Sequence, residues 1–193
     1  MLFEDGNRID LTLCSKEDAE DWNAGDQLAE VLLDKQNLLP ELPKATDKDY
    51  WIKEPTLQEF LDCCNQFWWV STYVVKGLCR DELFYAADHL NEYCRKEYLR
   101  VLSWQIGADQ GYNFSVGKNY KYLQKYLTEQ QNEQILKTMD LSGIPVAWSA
   151  LILLQEQFNQ AAQLFSRKNN WAYESNTAKQ VMDYTMKQKN LYI

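Results

Sequence analysis

The sequence predicts a mainly α-helical protein that opens with a short β-hairpin. Its 193 residues include only seven glycines and four prolines, which favours long uninterrupted elements. Hydrophobic residues make up 46% of the chain, enough to bury a core, so the protein is expected to be globular. From residue 56 onward, apolar residues recur at intervals of three and four, the spacing of amphipathic helices.

The first thirteen residues predict the hairpin. Asp5-Gly6 is typical of a two-residue turn, and residues 1–3 would form the strand before it. In residues 8–13 apolar and polar side chains alternate, which places Asp10 on the polar face of the second strand. Since an isolated two-stranded ribbon is marginal in water, we expect this hairpin to belong to a larger sheet.

Residues 15–55 lead from the hairpin to the helices. Residues 15–34 are predicted to be helical with a break near 23–26, and Asp26 is a candidate N-cap. Residues 37–55 contain three of the four prolines, which indicates a linker. The predicted domains are therefore 1–36, a linker at 37–55, and a helical bundle at 56–193.

Five to six helices are expected in the bundle. Thr56 and Glu59 form a capping box at the start of the first helix. A second helix is predicted from about Asp81 to Gly107, and a short helix from Lys118 to Leu127. The remaining helices are one capped by Thr128 and Gln131, one with Pro145 in its first turn, and one over residues 177–189. Short connections between them predict an up-and-down bundle.

The charge of the chain is acidic and unevenly distributed. The formal net charge is −8, and residues 1–35 are the most acidic stretch. Such a field repels a nucleic-acid backbone and favours cationic ligands, so we expect no nucleic-acid partner. The alternative interpretation is a solvated acidic surface that aids solubility.

Cysteine usage and hydropathy suggest the compartment. The five cysteines form no CxxC pair and the single histidine is His89, so the spacing of a zinc site is missing. An odd number of cysteines also argues against a secreted disulfide framework. The sequence shows no cleavable signal peptide and no apolar run of about 18 residues. We therefore predict a cytoplasmic protein without a membrane partner.

Two groups of residues are candidates for chemistry. Asp10 could hold Mg²⁺ or accept a proton from an attacking hydroxyl, or it could simply pair with Arg8. Lys118, Lys121 and Lys125 follow Gly117 at helical spacing, as expected of a phosphate-binding helix start or of a solvated cationic face. No nucleophile and carboxylate accompany His89 in a way that predicts a catalytic triad.

Several blocks of sequence resemble one known family. They are Arg8-Ile9-Asp10-Leu11-Thr12-Leu13, Val31-Leu32-Leu33-Asp34-Lys35, Asp62-Cys63-Cys64-Asn65-Gln66-Phe67-Trp68, Thr72-Tyr73-Val74-Val75-Lys76-Gly77-Leu78-Cys79-Arg80 and Phe114-Ser115-Val116-Gly117-Lys118-Asn119-Tyr120-Lys121. In this order and spacing they are similar to the bacterial aminoglycoside 6-adenylyltransferases, also called streptomycin adenylyltransferases. The similarity runs from about residue 2 to 128.

The resemblance implies a two-domain enzyme that uses ATP and Mg²⁺ to place AMP on the 6-hydroxyl of streptomycin. It implies that residues 1–36 are the remnant of a nucleotidyltransferase α/β domain. In this family three carboxylates form the metal site, and Asp10 would be the third of them, with a catalytic and metal-binding role. Lys118, and with it Lys121 and Arg95, would contact ATP. The cationic antibiotic would meet acidic residues of the bundle, for which the candidates are Asp81, Glu82 and Asp88.

The sequence also departs from the family. A Gly-Ser turn followed by an Asp-x-Asp pair, which supplies most of the family's metal site, does not occur. One carboxylate cannot form the two-ion clamp of such transfers, so we expect the isolated chain to be inactive. The alternative function is a non-catalytic binding or assembly module, for instance a homo-oligomer formed through an exposed sheet edge.

Overall fold

The computed structural model describes residues 1–18 and 26–192, and it is mainly α-helical, as predicted. The chain divides into two compact units, Met1–Tyr50 and Trp51–Ile193. Within the described residues the α-helices all lie in the second unit. They are α1 (Leu57–Leu78), α2 (Leu83–His89), α3 (Lys96–Gln110), α4 (Glu129–Lys137), α5 (Ile144–Lys168) and α6 (Ser175–Tyr192).

In the first unit the predicted hairpin is reduced to its turn. Gly6 adopts a φ of +83°, and the Phe3 amide donates to the Asn7 carbonyl at 2.8 Å. One antiparallel bridge joins Leu2 to Arg8, and no longer strand occurs in the described part of the chain. Because no neighbouring strand covers it, the apolar side of residues 9–13 remains exposed, up to 87% at Leu13.

The helix predicted over residues 15–34 is not found where the structure describes this stretch. Residues 26–34 form a bend and segments without regular secondary structure, and residues 23–25 of the predicted break lie outside the described residues. Asp26 is not a helix N-cap. Its carboxylate accepts hydrogen bonds from the Leu28 amide at 2.8 Å and from the Tyr50 hydroxyl. These bonds stabilise a loop, and Leu32 is 90% exposed, so no apolar surface among the described residues covers it.

The caps of the second unit match the sequence prediction. Thr56 and Glu59 form a reciprocal capping box at α1, and Thr128 and Gln131 form another at α4. Pro145 lies in the first turn of α5. Each box satisfies backbone N–H groups that a helix start leaves without partners, so these short signals fix where the helices begin.

The second predicted helix continues further than expected. Helices α2 and α3 are joined by a π-helical segment, Leu90–Arg95, and α3 passes through Gly107 to end at Gln110, with Gly111 as its C-cap. Gly107 is buried because the ring of Tyr112 packs where a side chain would stand. Gly111, with a φ of +91°, ends the helix instead.

Helix α5 is the centre of the core and contacts α1, α3, α4 and α6. Its predicted apolar stripe is buried: Ala147, Leu151, Leu154, Phe158, Ala161 and Phe165. The rings of Phe67 on α1 and Phe158 on α5 stack with centroids 3.7 Å apart. Among the described residues, no helix is both long enough and apolar enough to span a membrane.

Candidate functional site

The segment between α3 and α4 carries the predicted phosphate-binding lysines, and we call residues 117–125 the lysine loop. Val116 and Leu123 anchor this segment because they are buried against Ile106 of α3. The Tyr122 amide donates to the Val116 carbonyl at 2.8 Å, which closes the loop. The loop is therefore held on the surface of the helical unit by apolar contacts at both of its ends.

The lysine loop is not the α-helix that the sequence predicted. It contains only two tight turns, Lys118–Tyr120 and Leu123–Tyr126. Asn119 and Tyr120 have φ values of +55° and +61°, which a right-handed helix does not allow. Lysines spaced by three and four residues therefore do not form a helical stripe, and no helix N-terminus is available here to bind a phosphate.

Two of the three lysines nevertheless converge on one aromatic ring. The Nζ atoms of Lys121 and Lys125 lie 4.7 and 4.4 Å from the centroid of the Tyr122 ring. Cations at this distance are attracted by the ring quadrupole, which keeps two positive charges close together. Lys118 is exposed at the start of the same loop. Residues 117–128 include no Asp or Glu, so the loop has a locally positive surface in an acidic chain.

The lysine loop also contacts the start of α3. The Tyr120 hydroxyl donates to the Lys96 carbonyl at 3.4 Å, and burial raises the pKa of Tyr120. Lys96 is itself paired with Glu92 at 2.5 Å, one turn earlier. The neighbouring Arg100 pairs with Glu97 at 3.1 Å. The charges of α3 are therefore already partnered, whereas those of the loop face solvent.

Arg95, a predicted ATP contact, is buried in the π-helical segment. Its guanidinium donates to the Thr138 hydroxyl, to the Thr138 carbonyl at 2.6 Å and to Asn91 Oδ1 at 3.1 Å. Only 7% of the residue is exposed, and burial lowers the pKa of Arg95. Because these donors bond to neutral acceptors inside the protein, the structure gives Arg95 a packing role, which disfavours the predicted contact with ATP.

The three acidic residues predicted to meet the antibiotic lie in one exposed stretch. Asp81, with a φ of +57°, and Glu82 form the turn between α1 and α2, and Asp88 lies on α2. Asp88 is 63% exposed at its side chain, with Oδ2 3.9 Å from His89 Nδ1. The structure thus places these carboxylates on a common surface segment, open to a cationic ligand.

Sequence analysis missed an aromatic cluster next to these acids. The imidazole ring of His89 lies 4.1 Å from the ring of Tyr85, 5.8 Å from Tyr73 and 5.7 Å from Tyr93. The signal in the sequence is the four-residue spacing of Tyr85, His89 and Tyr93, which puts them on one helix face. His89 is thus surrounded by aromatic rings in a setting unlike that of a triad histidine.

Asp10 lies in the first unit and is paired with Arg8. Arg8 Nε and Nη2 donate to the two carboxylate oxygens of Asp10, each at 2.8 Å. Both side chains are at least 70% exposed. This bidentate pair is the simple alternative considered from the sequence, and an exposed pair of this kind contributes little stability.

The described residues do not form a magnesium site by themselves. Within 1–18 and 26–192, no three His, Cys, Asp or Glu side chains are grouped to hold a metal ion. Asp47 and Asp49 do have Asp-x-Asp spacing, but no Gly-Ser turn precedes them. Asp49 instead accepts hydrogen bonds from the Gln27 amide and side chain. The carboxylate ligands that Mg²⁺ requires are therefore not assembled here.

Comparison with known proteins decides the family. Residues 1–188 match the sequence model of the streptomycin adenylyltransferase family. The chain belongs to this family. The lysine loop, the aromatic cluster around His89 and the acidic turn all lie within the matched residues.

Three relatives are named aminoglycoside 6-adenylyltransferase. The protein of Bacillus subtilis (strain 168) is 44% identical over 174 residues, which cover 90% of this chain and 61% of the relative. That of Campylobacter jejuni is 40% identical over 192 residues, covering 100% and 66%. That of Staphylococcus aureus is 41% identical over 174 residues, covering 90% and 62%. The chain spans less than two thirds of the length of each of these relatives.

A solved structure supports the same assignment. The chain is similar to the crystal structure of an aminoglycoside 6-adenyltransferase from Bacillus subtilis, with a TM-score of 0.69 and 41% sequence identity. The match covers 97% of this chain and 69% of the crystallised chain. The fold described above is therefore that of an adenylyltransferase relative over nearly the whole chain.

Proposed function

We propose that this chain forms the helical, phosphate-contacting part of an aminoglycoside 6-adenylyltransferase. In the proposed reaction the 6-hydroxyl oxygen of streptomycin bonds to the α-phosphorus of ATP, the bond from that phosphorus to the β-phosphate bridging oxygen breaks, and pyrophosphate leaves. The observation that carries the proposal is the lysine loop. It concentrates three cations on the surface of a family member whose named relatives transfer adenylyl groups.

Lys118 and Lys121 are the proposed ATP contacts. ATP carries several negative charges, and neutralising them is a large part of catalysis in phosphoryl and nucleotidyl transfer. Lys118 is exposed, and Lys121 shares the Tyr122 ring with Lys125, so the lysine loop presents three lysines to a polyphosphate. We leave Arg95 out of these contacts because its guanidinium is bonded to Thr138.

Asp10 is the proposed carboxylate of the first unit, as a magnesium ligand or as the acceptor of the hydroxyl proton. Its exposure favours this role, whereas its bidentate pair with Arg8 must open before the carboxylate can act. Mg²⁺ is proposed as the metal on the strength of the family resemblance. The remaining ligands would have to come from outside the described residues, since these lack a metal-binding group.

The proposed antibiotic contacts are Asp81, Glu82 and Asp88. Aminoglycosides are polycations, and exposed carboxylates attract them without the cost of burying a charge. All three side chains are exposed, and the net charge of −8 supports attraction over longer distances. Streptomycin is proposed as the acceptor because the matching family bears its name.

We further propose that residues 1–36 belong to the nucleotidyltransferase domain, with 37–55 as the linker to the bundle at 56–193. The cytoplasm is the proposed location because ATP is the adenylyl donor. All five cysteines, which lie within the described residues, are free thiols, and this favours a reducing compartment.

The isolated 193-residue chain is proposed to be inactive, because it brings one candidate catalytic carboxylate and no metal-binding group among its described residues. Purified chain incubated with ATP, Mg²⁺ and streptomycin is expected to form no AMP-streptomycin above a protein-free control. Metal-dependent formation of AMP-streptomycin, measured by mass spectrometry, would contradict the proposal.

Nucleotide binding tests the lysine loop separately from catalysis. ATP is expected to bind the isolated chain weakly, and Lys118→Met is expected to weaken that binding about threefold to tenfold. Lys179→Met is the matched control, because Lys179 is an exposed lysine of α6 paired with Asp183. If both variants weaken ATP binding equally, net charge and not the loop is responsible.

A non-catalytic assembly module is the second candidate function. The exposed apolar side chains of the first unit favour it, in particular Ile9, Leu11 and Leu13 at 50, 66 and 87% exposure. Strand addition along residues 8–13 would bury them and could join two copies of the chain. Light scattering across a concentration series distinguishes the candidates. A dimer abolished by Leu11→Lys, together with absent ATP binding, favours the module.

A further inference from the structure

A cavity of about 350 Å³ opens between α1 and the start of α6. Among the described residues that line it, none belongs to the lysine loop or to the acidic stretch Asp81–Asp88. Its walls are chiefly apolar and aromatic: Leu61, Cys64, Trp68, Trp69, Tyr173 and Val181. A preformed concave site with such walls is typical of pockets for small organic ligands.

Hydrogen bonds fix the aromatic walls. The Trp68 indole N–H donates to the Tyr173 hydroxyl at 3.2 Å, and this hydroxyl donates to Asn159 Oδ1 at 3.0 Å. The Trp68 ring also packs edge-on against Phe158, with centroids 5.7 Å apart. The chain before α6 is thereby tied to α1 and α5, so the cavity does not depend on a ligand to form.

One negatively charged side chain lines the cavity. Among its described lining residues, Glu174 alone has a carboxylate, and none is Lys, Arg or His. Burial raises the pKa of Cys64 to about 12 and also raises the pKa of Tyr173, so both groups are neutral near pH 7. The remaining polar lining groups are neutral amides and hydroxyls: Asn65, Thr72 and Thr177.

We propose that this cavity binds a small organic monocation with an apolar body, such as an ammonium group next to an aromatic ring. The faces of tryptophan rings attract ammonium groups, and Glu174 supplies the opposite charge. The apolar walls take the rest of the ligand. An anion would be repelled by Glu174, and a hydroxyl-rich polycation would lose hydration that these walls cannot replace. The proposed site thus shares no described lining residue with the lysine loop or with the acidic stretch Asp81–Asp88.

Three probes with similar tetrahedral head groups test the role of charge. They are phenyltrimethylammonium (a cation), methyl phenyl sulfone (neutral) and benzenesulfonate (an anion), each titrated into the full chain while the indole N–H resonances are followed by NMR. The cation is expected to shift the Trp68 and Trp69 resonances with a dissociation constant of about 1 mM or lower. The sulfone should bind at least about fivefold more weakly, and the sulfonate should leave these resonances in place.

Variants assign the effect to the cavity. Glu174→Gln is expected to remove the preference for the cation over the sulfone, a loss of about fivefold in cation affinity. Glu129→Gln is the matched control, because Glu129 is also an exposed glutamate at a helix start but does not line the cavity. Thr177→Leu, which narrows the cavity, should weaken both ligands.

Three results would overturn the proposal. One is equal shifts with all three probes, and another is an equal loss of cation affinity in Glu129→Gln and Glu174→Gln. The third is displacement of the cation by streptomycin, which would make the cavity part of the antibiotic site.

The assignment of the two resonances rests on Trp68→Phe and Trp69→Phe, each of which should remove one indole signal.

Discussion

At the scale of single residues, Arg95 shows how burial changes the role of a charged side chain. Its guanidinium donates hydrogen bonds to Thr138 at the end of α4 and so connects the continuous helical stretch of α2 and α3 to α4. All of its hydrogen-bond partners are neutral. The family resemblance implied that Arg95 contacts ATP. Burial of the neighbouring Leu90 and Cys94, which the apolar spacing did predict, turns Arg95 inward as well.

Arg95→Ala is expected to lower the free energy of unfolding by about 2–4 kcal/mol, because it leaves the Thr138 carbonyl without its donor and opens a void. Urea denaturation measures this loss. Arg100→Ala, at a 41% exposed side chain, is the control and should cost less than about 1 kcal/mol. If Arg95→Ala left the stability unchanged but weakened ATP binding, the result would support the contact between Arg95 and ATP.

At the scale of elements, the helix starts and the apolar stripes followed from the sequence, whereas the loops did not. Capping boxes at Thr56 and Thr128 are local signals, and local bonds satisfy them in the structure. The lysine loop was predicted as a helix, with its three lysines at helical spacing after Gly117. Its conformation depends on Val116 and Leu123 packing against α3, a contact that no local pattern encodes.

The capping box of α1 predicts a pH-dependent stability. Thr56→Ala should lower the free energy of unfolding by about 1 kcal/mol at pH 7, with Thr72→Ala in the same helix as a control within about 0.5 kcal/mol. Two hydrogen bonds from Thr56 hold the pKa of the Glu59 carboxyl below its ordinary value of 4.5. The bond from the backbone N–H has the larger effect, and the bond from the hydroxyl has the smaller one.

Because the folded pKa of Glu59 lies below the unfolded one, its contribution is complete above pH 4.5 and is lost as the pH falls through the folded pKa. Urea denaturation of the wild type and of Glu59→Gln should therefore show a stability difference at pH 7 that narrows below pH 4.5. A difference that stays constant down to pH 3 contradicts this account of the cap.

Gly117 is expected to set the conformation of the lysine loop. It has a φ of +70°, and a Cβ atom there would lie 2.7 Å from the Tyr122 ring. Gly117→Ala should cost about 1–2 kcal/mol and disturb the two lysines on that ring. Gly143→Ala is the control, since its nearest neighbour would be 3.9 Å away and the cost should stay below about 0.5 kcal/mol. Equal unfolding midpoints in urea would show that the loop does not need this glycine.

At the scale of the whole molecule, the two units differ in how far the sequence predicted them. The helical unit buries a continuous core, so periodicity alone indicated its inward faces. The first unit exposes Leu11 and Leu13, because an alternating strand pattern needs neighbouring strands before its apolar side is covered. Likewise, the resemblance implied a catalytic, metal-binding role for Asp10, yet the described residues include no group of carboxylates that could hold a metal ion with it.

The measurement that tests the central claim most directly is adenylyl transfer by a chimera. In the Bacillus subtilis relative, the 174 residues that align with this chain would be replaced by the corresponding residues of this chain. We expect the chimera to form AMP-streptomycin from ATP, with at least about tenfold loss in Lys118→Met and little change in Lys179→Met. A folded chimera without activity, or one indifferent to Lys118→Met, would contradict the claim that this chain supplies the phosphate-contacting part of the enzyme.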